Sequence, residues 1–321
     1  MGRVSDVVLL AHGAATRQEE VEPYYRHIRG DLPTDPVVLS NLEAHYRAIG
    51  GGSPFNKITE ETAQRLQEEL TRRHGAGSYR VHHAYRHVPP FAEEVLPRLA
   101  GSAEVPILAL PMAPHASRFL EHGYRGALEA ARSASSHPNP IRFAGAWFRE
   151  PDLVRFWARS LRRARERLPP EAKGRSRVLF SAHSLPQRMV TGTPYAAQLE
   201  EGARAIAAEA GIDPSEVEVC WQSASPGGTE PWAGPDLLEM LPGLVSCGLR
   251  GVVVVPHGFL CDHLEVLYDL DLRARQAATD LGLSFARAEM PNSDPLLVSA
   301  LAHVVERSDE APEASPHRPS G

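Results

Sequence analysis

Eight short β-branched runs, each followed by a longer amphipathic stretch, do most to restrict how this chain can fold. The runs fall at about 4–12, 79–86, 105–112 and 141–148, then at about 177–183, 217–222, 251–257 and 284–289. Helical periodicity fills gaps at about 57–73, 118–134, 194–210, 235–246, 263–281 and 294–307. Strands that alternate with helices pair in parallel, because a crossover must return the chain to the same end of the sheet. Val178-Leu179-Phe180 and Val252-Val253-Val254-Val255 lack polar alternation and read as central strands buried on both faces. The pattern predicts an α/β fold of two doubly wound units, each a four-stranded parallel sheet flanked by helices. Ligands of such sheets sit beyond the carboxyl ends of the strands.

A chain of 321 residues exceeds what one core usually organises. A seam is expected near 150–175, where a charged helix meets Pro169-Pro170 and a Gly174-Arg175-Ser176 turn. Domains are therefore expected over 1–160 and 161–307. The stretch 308–321, rich in Pro, Ser, Glu and Ala, is expected to be a disordered tail. The halves share short strings: Leu10-Ala11-His12-Gly13 resembles Ser181-Ala182-His183-Ser184, and Pro111-Met112-Ala113-Pro114-His115 resembles Val255-Pro256-His257. An internal duplication around a cleft would explain them.

The net charge of −6 argues against a nucleic-acid binder. No apolar run reaches the roughly 20 residues of a membrane span. The first residues carry no secretory pattern, so a cytoplasmic protein is expected. Cys220, Cys247 and Cys261 are too few and too scattered for a disulfide framework or a four-thiolate centre, so no iron–sulfur cluster is expected.

Histidine and carboxylate positions carry the chemistry. His183 closes an apolar strand among small residues, a place for a metal ligand, a general base or a structural cap. Glu265 and Asp269 share a helix face at i and i+4, which suits either a bound cation or an acidic first turn complementing the helix dipole. Gly50-Gly51-Gly52-Ser53-Pro54 is a tight loop without the lysine of a phosphate-binding P-loop. Arg29, His45, Tyr46 and Tyr124, with Trp221 and Trp232, have the composition to clamp carboxylates and stack a large ring.

Four segments in register make a specific likeness. Tyr46-Arg47-Ala48-Ile49-Gly50-Gly51-Gly52-Ser53-Pro54, Ser181-Ala182-His183-Ser184-Leu185-Pro186, Trp221-Gln222-Ser223 leading to Pro231-Trp232-Ala233-Gly234-Pro235-Asp236, and Gly258-Phe259-Leu260-Cys261-Asp262-His263-Leu264-Glu265-Val266-Leu267-Tyr268-Asp269 resemble the ferrochelatase family over about 5–307. The likeness is nearest to the bacterial enzymes that metallate coproporphyrin III. It implies a chelatase-like fold of two Rossmann-like domains and insertion of Fe(2+) into coproporphyrin III to give coproheme in haem biosynthesis. It implies His183 and Glu265 as the metal and proton pair, with Asp269 on a secondary metal path. Arg29, His45, Tyr46, Ser53 and Tyr124 match positions that hold propionates. His12 stands where close relatives place an axial tyrosine, and imidazole can serve there too. His45 replaces an arginine, and Arg273 replaces an acid two turns beyond Glu265.

The apolar lip of membrane-associated relatives is missing between Tyr24 and Gly50, which favours coproporphyrin over protoporphyrin IX. The alternatives are a protoporphyrin IX ferrochelatase, a sirohydrochlorin cobalto- or ferrochelatase, favoured by His12, and a non-catalytic porphyrin carrier. The expected partners are coproporphyrin III, Fe(2+), an iron donor and a downstream coproheme-processing enzyme. A monomer without a tightly bound cofactor is expected.

Overall fold

The computed structural model describes residues 5–310, apart from 31, 103–105, 138–139 and 225–229. Eight strands form: β1 Ser5–Ala11, β2 Tyr79–Tyr85, β3 Ile107–Pro111, β4 Ile141–Phe143, β5 Ser176–His183, β6 Val217–Gln222, β7 Gly251–Val255 and β8 Ser284–Arg287. They build two sheets, ordered β2-β1-β3-β4 and β6-β5-β7-β8, with every neighbouring pair parallel. The two orders are the same, each running second, first, third, fourth. The shared His-containing strings thus mark equivalent places, the ends of β1 and β5 and the ends of β3 and β7.

Helices Phe55–His74, Ala92–Ser102 and Arg118–Ala134 accompany the first sheet. Helices Pro151–Glu166, Tyr195–Ala210, Leu237–Ser246 and Arg275–Asp280 accompany the second. Helix Pro295–Glu310 packs on both Pro151–Glu166 and Phe55–His74, and so ties the end of the chain to the first half. Val7 and Leu9 of β1, Leu66 and Leu70, Trp157 and Leu161, and the central strands β5 and β7 belong to one continuous buried cluster. Each such large apolar side chain contributes about 1.5–3 kcal/mol on burial. A division at 160/161 would cut through helix Pro151–Glu166, which packs on β7 and β8 as a unit.

Other expectations are adjusted. The fourth run is a strand only over Ile141–Phe143, because Trp147 and Phe148 turn away to donate their backbone N–H groups to the Pro114 carbonyl. The helix expected over 263–281 is interrupted. Leu264–Leu267 is followed by a π-helical turn, Asp269–Ala274, in which Arg273 N–H donates to the Tyr268 carbonyl at 2.9 Å. Residues 308–310, expected to belong to the tail, are helical. Arg142 donates to the Ser308 carbonyl at 2.6 Å and Ser308 Oγ to Val304 O at 2.7 Å, which carries the last helix to Glu310. The rest of that stretch, 311–321, and the middle of the Trp221–Trp232 segment lie outside the described residues.

Candidate active site

In a sheet ordered 2-1-3-4 the chain reverses direction between its first and third strands, and a crevice opens beyond their carboxyl ends. The first half places His12 there, just past β1, and the second half places His183 there, at the end of β5. Glu265 reaches the same crevice from the segment after β7. That segment turns at Gly258, whose backbone is pressed against β5: a Cβ there would lie 2.5 Å from Ala182 Cβ.

His183 Nε2 and Glu265 Oε1 are 3.1 Å apart, and His263 Nε2 stands 3.5 Å from the other carboxylate oxygen. The ring geometry is fixed from behind: His183 Nδ1 contacts the Ser184 carbonyl, and His263 Nδ1 lies 2.9 Å from the Cys261 carbonyl. Gln222, held by Ser181 Oγ on its oxygen, donates to the Glu265 backbone carbonyl at 3.0 Å. Burial opposes the charge on His183, but the Glu265 carboxylate and the Ser184 carbonyl outweigh it and lift its pKa to about 9. Burial likewise opposes the charge on Glu265, and His183 and His263 overcome it, holding the carboxyl far below its usual range. At neutral pH the pair is therefore an imidazolium and a carboxylate. Each side chain keeps about a third of its surface open, 31% and 32%.

His12 has the opposite character. Burial drives its pKa down to about 4, against the Gly13 carbonyl that accepts from Nδ1 at 3.1 Å. A proton on Nδ1 leaves Nε2 with a free lone pair, which suits a metal ligand. Tyr24 Oη donates to the same carbonyl at 3.0 Å, and His87 packs its ring 4.5 Å from that of His12.

Asp269 lies one turn beyond Glu265. Burial raises its pKa despite a 2.5 Å hydrogen bond from Ser223 Oγ. Ser223 is held at φ +59, in the left-handed region that a serine seldom occupies. Gln222, Ser223, Asp236, Asp269 and Arg273 line a small cavity that this carboxylate borders. Among the described residues, no three His, Cys, Asp or Glu side chains converge as a metal-holding group. Glu265 presents carboxylate oxygens to a cation, and His183 presents Nε2 to one once it has given up its proton.

The residues assigned to propionates separate into two kinds. Arg29 is exposed at the end of helix Val21–Arg29, and half-buried His45 stacks on Tyr268 with ring centroids 3.8 Å apart. Tyr46, Ser53 and Tyr124 are buried instead of displayed on a rim. Tyr46 packs with Ala15 and Val21, Ser53 Oγ accepts from Phe55 N–H at 3.3 Å, and Tyr124 Oη donates to the Ala11 carbonyl at 2.8 Å. Their polar atoms serve the loops that frame the crevice. Sequence reasoning assigned no chemical role to His263; the His263-Leu264-Glu265 spacing was the one available signal.

A sequence model of the family described as Ferrochelatase matches residues 5–309. A protein of Geobacillus kaustophilus (strain HTA426) named coproporphyrin III ferrochelatase is 37% identical over 306 residues, covering 94% of this chain and 95% of its own. One of the same name from Bacillus subtilis (strain 168) is 35% identical over 303 residues, covering 93% and 96%. A solved structure described as SirB from Bacillus subtilis with Fe3+ superposes with a TM-score of 0.56 at 13% identity, covering 96% of each chain, a likeness of fold.

Proposed function

Because this chain belongs to the ferrochelatase family, we propose that it inserts Fe(2+) into coproporphyrin III, yielding coproheme and two protons. The observation that carries the proposal is the His183–Glu265 pair in the crevice between the sheets, a charged acid–base couple whose side chains each keep about a third of their surface open. Metal insertion exchanges one dication for two pyrrole N–H protons, so the site must take protons from the ring and pass them on. His183 holds a proton at neutral pH, and an arriving dication lowers its affinity for that proton by repulsion. The displaced proton has Glu265 as its neighbour, and Asp269, whose carboxyl burial makes more basic, borders the small cavity one turn further on. His183 is then free to accept from the pyrrole nitrogens, and the cycle repeats. On the side of β1, the neutral His12 offers a lone pair to the iron as an axial ligand.

Arg29 offers the exposed cation for a propionate. His45 is a poor one at neutral pH, since burial and Arg273 lower its pKa. No described helix is long and apolar enough to cross a membrane. We read the protein as a cytoplasmic monomer without a tightly bound cofactor, supplied by an iron donor and followed by an enzyme that processes coproheme.

An anaerobic optical assay with Fe(2+) and coproporphyrin III, protoporphyrin IX or sirohydrochlorin tests this. Metallation of coproporphyrin III is expected to be the fastest of the three. Turnover of sirohydrochlorin alone would reassign the substrate, and binding of porphyrin without turnover would leave a carrier. His183→Ala and Glu265→Gln should each lower turnover by about a hundredfold or more while porphyrin still binds.

A further inference from the structure

Glu265 sits on a segment whose two ends are gripped by one side chain that the proposed mechanism does not use. Arg287, at the end of β8, is largely buried, its side chain 14% exposed. Its Nε and Nη2 donate to the two oxygens of Asp271, each at 2.8 Å, and Nη2 also lies 3.2 Å from Asp262 Oδ1. Nη1 donates to the Ala288 carbonyl at 3.1 Å, which fixes the plane of the fork. The second oxygen of Asp262 accepts from Asn292 Nδ2 at 2.8 Å, while Asp262 N–H donates to Asn292 Oδ1 at 2.8 Å. Asn292 takes up φ +49 to do this, a conformation asparagine tolerates better than most residues. Asp262 and Asp271 thus anchor the two ends of a stretch that contains His263, Glu265 and Asp269.

We propose that Arg287 is a positioning residue for metal insertion, gripping Asp262 and Asp271 so that Glu265 is held against His183. The stretch needs such a grip. It begins in a loop, makes a single α-turn over Leu264–Leu267 and changes register in the π-helical turn that follows. One α-turn has too few internal hydrogen bonds to fix a side chain by itself. A planar guanidinium combines two directional hydrogen bonds to Asp271 with a charge contact at 3.2 Å to Asp262, which the point charge of a lysine does not. Asn292 adds a second fastening at the Asp262 end. The arrangement is rigid where a proton must pass across 3.1 Å between His183 and Glu265, and displacements of about 1 Å at such a gap can cost on the order of a hundredfold in rate.

Arg287→Lys tests the inference, which rests on the proton role proposed for Glu265. The expected result is a kcat lowered roughly tenfold to a hundredfold with the KM for coproporphyrin III within about twofold. Amide exchange should rise over 262–274 and stay at wild-type levels in β1 and β5. An unchanged kcat, or exchange that rises uniformly through the chain, would overturn it. If the lysine variant does not fold, Asp271→Asn and Asn292→Ala each remove one fastening. A lowered kcat with locally raised exchange in either supports the clamp, and wild-type behaviour in both refutes it. Turnover of coproporphyrin III by the wild-type chain tests the functional reading separately, because the exchange comparison needs no substrate.

Discussion

At the scale of single residues, the candidate site is decided by which neighbour a buried imidazole meets. His183 is raised to about 9 only because Glu265 and the Ser184 carbonyl defeat burial, which alone acts downward. Glu265→Gln removes the carboxylate and leaves the burial, so the His183 pKa should fall from its raised value. NMR of the ring protons in the two proteins checks this. The sign for stability follows. A raised folded-state pKa contributes stability that is complete below about 6.5 and is lost as pH rises through 9. Wild-type urea midpoints should fall across that window, and the Gln variant should lack that fall. Tyr124 gives a second residue-level outcome. Tyr124→Phe removes its bond to the Ala11 carbonyl, which still accepts from the Arg86 N–H, so the cost in denaturant unfolding should be about 0.5–1.5 kcal/mol. Coproporphyrin affinity should stay within about twofold, whereas a propionate ligand would lose more.

At the scale of elements, the glycine loop shows where sequence reading succeeds and where it stops. Gly50-Gly51-Gly52 is legible as a tight turn, and Gly50 and Gly51 do adopt φ of +102 and +92. What Gly52 approaches was not legible: its missing side chain makes room for the Thr16 backbone, whose oxygen lies 1.9 Å from where a Cβ would sit. Gly52→Ala must push two backbone segments apart, at a cost of about 1–3 kcal/mol, read as a lowered thermal midpoint. All eight strands were legible because β-branched runs between helical periods admit few other pairings. The π-helical turn was not, because helical periodicity carries no sign of a register change; Asp271 within it pairs with Arg287, sixteen residues on in sequence. His183 and Glu265 were visible through their motif, while the inward turn of Tyr46, Ser53 and Tyr124 depends on loops from elsewhere in the chain.

At the scale of the whole molecule, the two sheets share one buried cluster, and helix Pro295–Glu310 fastens the last element to the first half. Leu161 lies fully buried in that cluster. Leu161→Ala should cost about 2–5 kcal/mol and shift tryptophan fluorescence and far-UV circular dichroism transitions together, where independent halves would separate them. The repeated strand order has a consequence of another kind. It sets two histidines at matching addresses, after β1 and at the end of β5, and their surroundings then drive them apart to about 4 and about 9. Between those values one copy keeps a lone pair and the other keeps a proton, so the crevice has a polarity that ordinary changes of acidity do not reverse. A flat ring entering it would meet a proton-bearing imidazole on one face and an imidazole lone pair on the other, although the scaffold around it is a repeat.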